Sequence, residues 1–315
     1  MLYVTTRTDN DAYTPRHPLT KDRAPDGGLY APFQNIRYSE EQISALAEKS
    51  FGQCAAEIIN HFFSTKLTGW EVDFALGRKP FRLVAMNHKI LVGELFNNPG
   101  NDFSWTVRKL RDLVVSSAEV PEELSQWTWI AVRIAALFGI FGELIRLSLA
   151  GRNRTIDVAV ASGDFSVPMS VLYAKEMGLP IGNILFGCDD SSGAWDFIHH
   201  GEIHTGRSQA ASLERLIYMR LGRAEASRYG QSVLRKGMHA VSEEARRVLS
   251  EDFFGAVVSG KRMQMICQNV SRTYDYSLHS DAALAYGALQ DFRAAQNEIA
   301  PAIILTEFSP DSTKD

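Results

Sequence analysis

The sequence predicts an α/β fold, a mostly parallel sheet flanked by helices, and three observations carry that prediction. TIDVAVASG (residues 155–163) and IGNILFGCD (181–189) are continuous apolar runs of strand length, and VPMSVLYAKEMG (167–178) between them reads as a helix closed by Gly178. Strand, helix and strand in that order form a βαβ unit, which implies parallel pairing and a right-handed crossover. APAIILTEF (300–308) adds a further strand. Runs that are apolar at consecutive positions suit a sheet covered on both faces.

The remaining elements follow in chain order. Residues 2–6 alternate and are rich in β-formers, and APDGGLYAP (24–32) is turn chemistry, because Asp26-Gly27-Gly28 tolerates positive φ. SEEQISALAEK (39–49) opens with Ser39 and has Gln42 three residues on, a capping-box pattern, and CAAEIINHFFS (54–64) has apolar residues at helical spacing. FRLVAM (81–86) and KILVGELF (89–96) flank Asn87-His88 as a hairpin. A helical pattern covers 103–117, and Pro121-Glu122-Glu123 is expected to open a long buried helix. Its apolar stretch, 127–150, is interrupted by Arg133, Glu143 and Arg146, so its uninterrupted core falls short of the roughly 20 residues a membrane span requires. Several helices fill 209–296. We divide the chain into a mainly helical segment, 1–80, and an α/β core, 81–315, joined as one compact unit.

Bulk composition excludes some functions. The 315 residues are 45% hydrophobic and 22% charged, an ordinary globular balance, and a net charge of -4 mixed along the chain provides no basic stripe for nucleic acid. No basic segment followed by a long apolar one opens the sequence, so no secretory leader is expected. Cys54, Cys188 and Cys267 are odd in number and widely spaced, which points to a reducing, cytoplasmic setting.

In their order these stretches resemble threonine synthases, pyridoxal-phosphate enzymes of the tryptophan-synthase-β fold type. LYVTTR and APDGGLYAP are similar to the family's N-terminal strand and DGGLY turn. GELFNNPGNDF (93–103) resembles ELFHGPTLAFKD, and ASGDF followed by KEMGLPI resembles GNFGD followed by KKMGLPI. SLERLIYMRLG (212–222) and HSDAALAYGAL (279–289) resemble two of its helices. The resemblance implies the core of that fold.

It also implies lost chemistry. Aligned on Pro99 and Phe103, the cofactor lysine is replaced by Ser104, whose hydroxyl forms no imine and shuttles no proton as a lysine amine does. The family's phosphate loop becomes Ser162-Gly163-Asp164-Phe165-Ser166, then Val167 and Pro168. Asp164 sets a like charge against phosphate, worth a few kcal/mol at about 4 Å and an effective dielectric near 20, and Pro168 lacks an N–H. Where the family inserts a small covering domain, this sequence has only VVSSAEVPEELS (114–125). Aligning Pro310 puts Glu307 at a threonine beside the cofactor ring nitrogen, whereas a shift of one residue restores Thr306.

Three readings follow. The first is a threonine-synthase-like pseudoenzyme whose cleft, with Asn97, Asn98, Ser104, Ser162 and Asp164 as its polar groups, binds a small molecule or a protein, with no cofactor. The second is a repurposed cofactor-independent lyase, cyclase or isomerase acting on an amino-acid-derived metabolite, with Asp164, its pKa raised by an apolar cleft, as general base beside Ser104. The third is an authentic threonine synthase acting on O-phosphohomoserine, with pyridoxal phosphate held weakly or through Lys109. A homodimer is expected through surface exposed by the missing domain, and no membrane partner. HHGEIH (199–204) lacks the zincin order, and Asp189-Asp190-Ser191-Ser192 reads first as a helix cap. No metal site is expected.

Overall fold

The computed structural model describes residues 1–8, 11–115, 123–204, 211–296 and 299–312. In chain order the elements are β1 (Tyr3–Thr5), α1 (Arg16–Thr20), β2 (Tyr30–Pro32), α2 (Glu40–Ala47), α3 (Phe51–Phe63), α4 (Gly69–Leu76), β3 (Arg82–Asn87), β4 (Ile90–Glu94), α5 (Phe103–Val114) and α6 (Gln126–Arg146). They continue as β5 (Ile156–Ala161), α7 (Ser166–Glu176), β6 (Ile181–Cys188), α8 (Gly193–His200), β7 (Glu202–His204), α9 (Leu213–Leu221), α10 (Arg223–Lys236) and β8 (Met238–Ala240). The last are α11 (Glu243–Ser250), β9 (Phe253–Val257), α12 (Gly260–Tyr274), α13 (Ser280–Gln296) and β10 (Ala302–Thr306).

The central sheet has the order β3-β4-β10-β5-β6-β9, and every pairing is parallel except the β3–β4 hairpin. Burial on both faces explains the unbroken apolar strands. In β5, Ile156, Val158 and Val160 enter one core while Ala159 enters the other, and in β10 Ile303 and Leu305 oppose Ala302 and Ile304 in the same way. The first core also takes in α2, α3, α6 and α7, so residues on both sides of position 80 share it. The second lies under α12 and α13. Helix α13 rests so closely on β6 that a Cβ at Gly187 would lie 1.9 Å from the Leu284 carbonyl oxygen.

The Ser39–Gln42 capping box forms as expected, and Ser50–Gln53 and Thr68–Glu71 form two more. The start of the long helix differs from expectation. Helix α6 begins at Gln126, its first turn capped by Ser125, whose hydroxyl accepts the Thr128 N–H, and Pro121 lies outside the described residues. Contrary to the expectation from its interrupted apolar run, α6 is long and apolar enough to cross a membrane, but it is largely enclosed by protein. Strand β9 and the small antiparallel sheet β7–β8 are absent from the sequence reading. Runs of three to five residues between helices are too short for periodicity to separate strand from helix.

Candidate functional site

The parallel strands deliver their C-terminal ends to one edge, where open α/β sheets place ligands. Beyond the ends of the neighbours β5 and β10 lies a cleft of about 280 Å³. After β5 the chain turns through Gly163 (φ +47°) and Phe165 (φ +68°) into α7. The two left-handed residues carry the intervening carboxylate back over the helix N-terminus. Asp164 Oδ1 accepts the Ser166 N–H at 2.9 Å and Oδ2 accepts the Gln126 side-chain amide at 2.5 Å. A phenylalanine at positive φ is strained. Its ring compensates by packing 5.3 Å from both Phe186 and Phe253.

Burial opposes ionisation of Asp164, but hydrogen bonds from Ser166 and Gln126, together with the nearby Arg133 charge, outweigh it and hold the carboxyl below its ordinary value. This corrects the expectation of a raised pKa. A carboxylate that is already deprotonated and engaged on both oxygens makes a weak general base.

Arg133, on α6, is buried and donates to both carboxylate oxygens of Glu307, with Nη1 reaching Ser166 Oγ at 3.2 Å. Its guanidinium lies 5.1 Å over the Trp129 ring. Glu307 directly follows β10, and its carbonyl accepts the Phe103 N–H at 2.9 Å, which ties the chain after β10 to the start of α5. Arg215, wholly buried on α9, donates to the Tyr30 carbonyl at 2.9 Å and to the Gln126 side-chain oxygen. Burial lowers its pKa, and its Nη2 has no partner among the described residues. Gln126 therefore bridges a cation and an anion, and their charges set which way its amide points.

Of the residues expected to line the cleft, the structure brings Asp164 to it together with Ser166. Asn98 is instead a loop staple, buried, its amide donating to the Asp102 carbonyl at 2.8 Å and its oxygen accepting the Gly100 N–H at 2.9 Å. Asn97 bonds the Lys79 and Phe81 carbonyls. Ser104 donates its hydroxyl to Asp102, the residue that caps α5. Ser162 is buried, its backbone paired with Gly187, while Gly163 faces open space. Lys109 is exposed, its Nζ 5.6 Å from the Trp105 ring. Lys89 precedes β4, at the opposite end of the sheet from the cleft.

Sequence reasoning missed Gln126, Arg133, Arg215 and Glu307 as a connected group. One signal was present, since Arg133, set among apolar residues in the middle of α6, implies a buried partner. At the other flagged motifs, Ser192 caps α8 through the Ala194 N–H, with Asp189 folded onto Ser191. His199 and His200 end α8 while His204 belongs to β7, and no metal-binding cluster occurs among the described residues.

The family model described as "Threonine synthase N terminus" matches residues 2–73. A search of the curated proteins finds no match. Among solved structures, the fold is similar to pyridoxal-phosphate-bound threonine synthase from Brucella melitensis, with a TM-score of 0.82, 17% identity, and 98% of this chain and 89% of that one covered. Threonine synthase from yeast gives a TM-score of 0.82 and 14% identity over 98% and 87% of the chains. The Escherichia coli enzyme gives 0.69 and 14% over 98% and 89%. At such identities the likeness establishes the fold alone, an α/β architecture like that of the threonine synthases.

Proposed function

We propose that this chain is a threonine-synthase-like protein that has lost pyridoxal-phosphate catalysis and uses the remaining cleft to bind a small molecule. The observation that carries the reading is that the protein's own carboxylates already engage the polar groups at this end of the sheet. Asp164 takes the N–H at the start of α7, the place where this fold would otherwise accept a phosphate. Glu307 takes Arg133. A phosphate brought to that helix end meets an ionised carboxylate, and the repulsion is worth a few kcal/mol at about 4 Å and an effective dielectric near 20.

Two further features support it. The residue aligned with the family lysine is Ser104, its hydroxyl committed to Asp102, and Lys109 in the same helix is exposed. Helix α5 ends at Val114 and α6 begins at Gln126, a short link where the family reading expects a covering domain. The residues present do not fit pyridoxal phosphate. A cleft of about 280 Å³ suits a compact metabolite better than a protein segment.

The test is an absorbance spectrum of the pure protein before and after addition of pyridoxal phosphate, with intact mass after borohydride. The proposal expects no stable band near roughly 420 nm, the region of a protein-bound pyridoxal imine, and no pyridoxyl mass. A stoichiometric adduct mapped to one lysine would overturn it.

A further inference from the structure

A second, larger cavity of about 670 Å³ lies away from the strand ends, between the loop that follows β1, the turn at Gly27, and helices α9 and α10. At its polar end stands Arg7, whose side chain is only 9% exposed. Its Nε and Nη2 donate to the two oxygens of Glu214, both at 2.9 Å. Two glycines make room for it. A Cβ at Gly27 would lie 3.0 Å from Arg7 Nη1, and one at Gly230, on α10, would lie 2.4 Å from Cζ. The guanidinium is thus clamped in one orientation, and its Nη1 makes no hydrogen bond among the described residues.

The chemistry of this end is one-sided. Glu214 accepts from Thr6 at 2.5 Å as well as from Arg7, and Arg23 Nη1 stands 3.7 Å from its second oxygen. One oxygen therefore has two donors and the other is held by Arg7, with the charge of Arg23 beside it and Arg23 Nη1 itself donating to the Gly27 carbonyl at 2.7 Å, so an incoming ammonium group would meet two guanidiniums. Two guanidiniums share this one carboxylate. The next carboxylate, Asp26, is occupied by the hydroxyls of Thr5 and Thr8 and by the Gly28 N–H, and it does not line the cavity. His204, at the rim, stands 3.8 Å from Glu202. Away from the arginines the walls are apolar, formed by Ile203, Tyr229, Val233 and Leu234.

We propose that this cavity is a binding site for a small organic acid, a single carboxylate carried on an apolar body, with the carboxylate on Arg7 Nη1 and Arg23 and the body along Val233 and Leu234. Among the described residues the charges of Arg7 and Arg23 are balanced by Glu214 and the nearby Asp26, so a singly charged carboxylate is a better match than a phosphate dianion. The planar guanidinium edge favours a planar carboxylate, and the volume is that of an ordinary small-molecule site. The site is separate from the cleft around Asp164 and does not depend on the reading given to that cleft.

Isothermal titration with phenylacetate, set against its uncharged isostere phenylacetamide and against inorganic phosphate, tests the assignment. Saturable one-to-one binding of phenylacetate is expected, with the amide at least about tenfold weaker, as the loss of a charge-assisted contact implies. Arg23→Gln should weaken phenylacetate about tenfold. Val233→Trp, which fills the apolar wall without touching the Arg7–Glu214 pair, should abolish binding while thermal unfolding stays cooperative. If Val233→Trp fails to fold, Arg23→Gln decides alone. Equal affinity for acid and amide, tighter binding of phosphate than of phenylacetate, indifference to Arg23→Gln, or no saturable binding at millimolar concentrations would each overturn the proposal.

Discussion

Arg133 and Glu307, 174 positions apart in sequence, meet as a two-point ion pair in which Nη2 donates to Oε2 at 3.1 Å and Nε to Oε1, with side chains 8% and 13% exposed. The pair ties α6 to the segment that follows β10. Removing one partner leaves the other charge in a poorly solvated place, so Arg133→Ala is expected to destabilise the fold by about 3–5 kcal/mol. The double replacement Arg133→Leu with Glu307→Leu should cost distinctly less, because no charge is left stranded. Urea unfolding at constant m-value reads both; equal losses would show that packing, not charge, dominates.

Asp164 links the cleft to pH. Its folded-state pKa lies below the ordinary value, so its contribution to stability is fully present above the unfolded-state pKa of about 3.9 and is lost as pH falls through the lower folded value. The Asp164→Asn variant should therefore be less stable at neutral pH, and its deficit should shrink steadily below about pH 4. Asp252, held low by Lys175 and Arg220 against its own burial, contributes to the same acid limb. The difference between wild type and variant, followed by denaturation from pH 7 to about pH 2, isolates Asp164. A deficit independent of pH would contradict the assigned direction.

Restoring a lysine should not restore the cofactor. Ser104→Lys supplies an amine but leaves Asp164 on the helix terminus and Glu307 on Arg133. Such a variant is expected to remain colourless with pyridoxal phosphate at neutral pH. A stable band near roughly 420 nm in this single variant would mean that the missing amine was the whole of the loss.

The contact of α13 with β6 predicts a sharp steric effect. At Gly187 a methyl group would meet backbone, not a flexible side chain, so Gly187→Ala should destabilise by about 3 kcal/mol or more. Gly260, with open space around it, serves as the control, and its alanine variant should stay within about 0.5 kcal/mol of wild type.

Thiol reactivity should follow burial. Burial pushes Cys54 and Cys188 up to about 12, whereas Cys267 is partly exposed with a thiol raised less far. Native titration with an aromatic disulfide at neutral pH should modify at most Cys267, and slowly. Rapid modification of two or more thiols would place the buried cysteines in a region that opens readily.

Local pattern makes much of the architecture legible in the sequence. The apolar runs ending at Ala161, Cys188 and Thr306 announced buried strands, Gly178 announced the end of α7, and Ser39 with Gln42 announced a cap. In each case neighbouring residues carry the information, because periodicity and capping act over a few positions. The cleft is different in kind. Asp164 was visible as a misplaced charge, yet its direction and its lowered pKa depend on Gln126, thirty-eight positions away, and on Arg133. Glu307 meets Arg133 because the chain leaving β10, a central strand beside β5, comes within hydrogen-bond distance of α6. Asn98 and Ser104 turned from ligand candidates into loop fasteners once their neighbours were known. Strand and helix are decided by short-range sterics and solvent exclusion, whereas the state of a polar group in a cleft is set by whichever distant charges and donors the packed chain brings within about 3 Å of it.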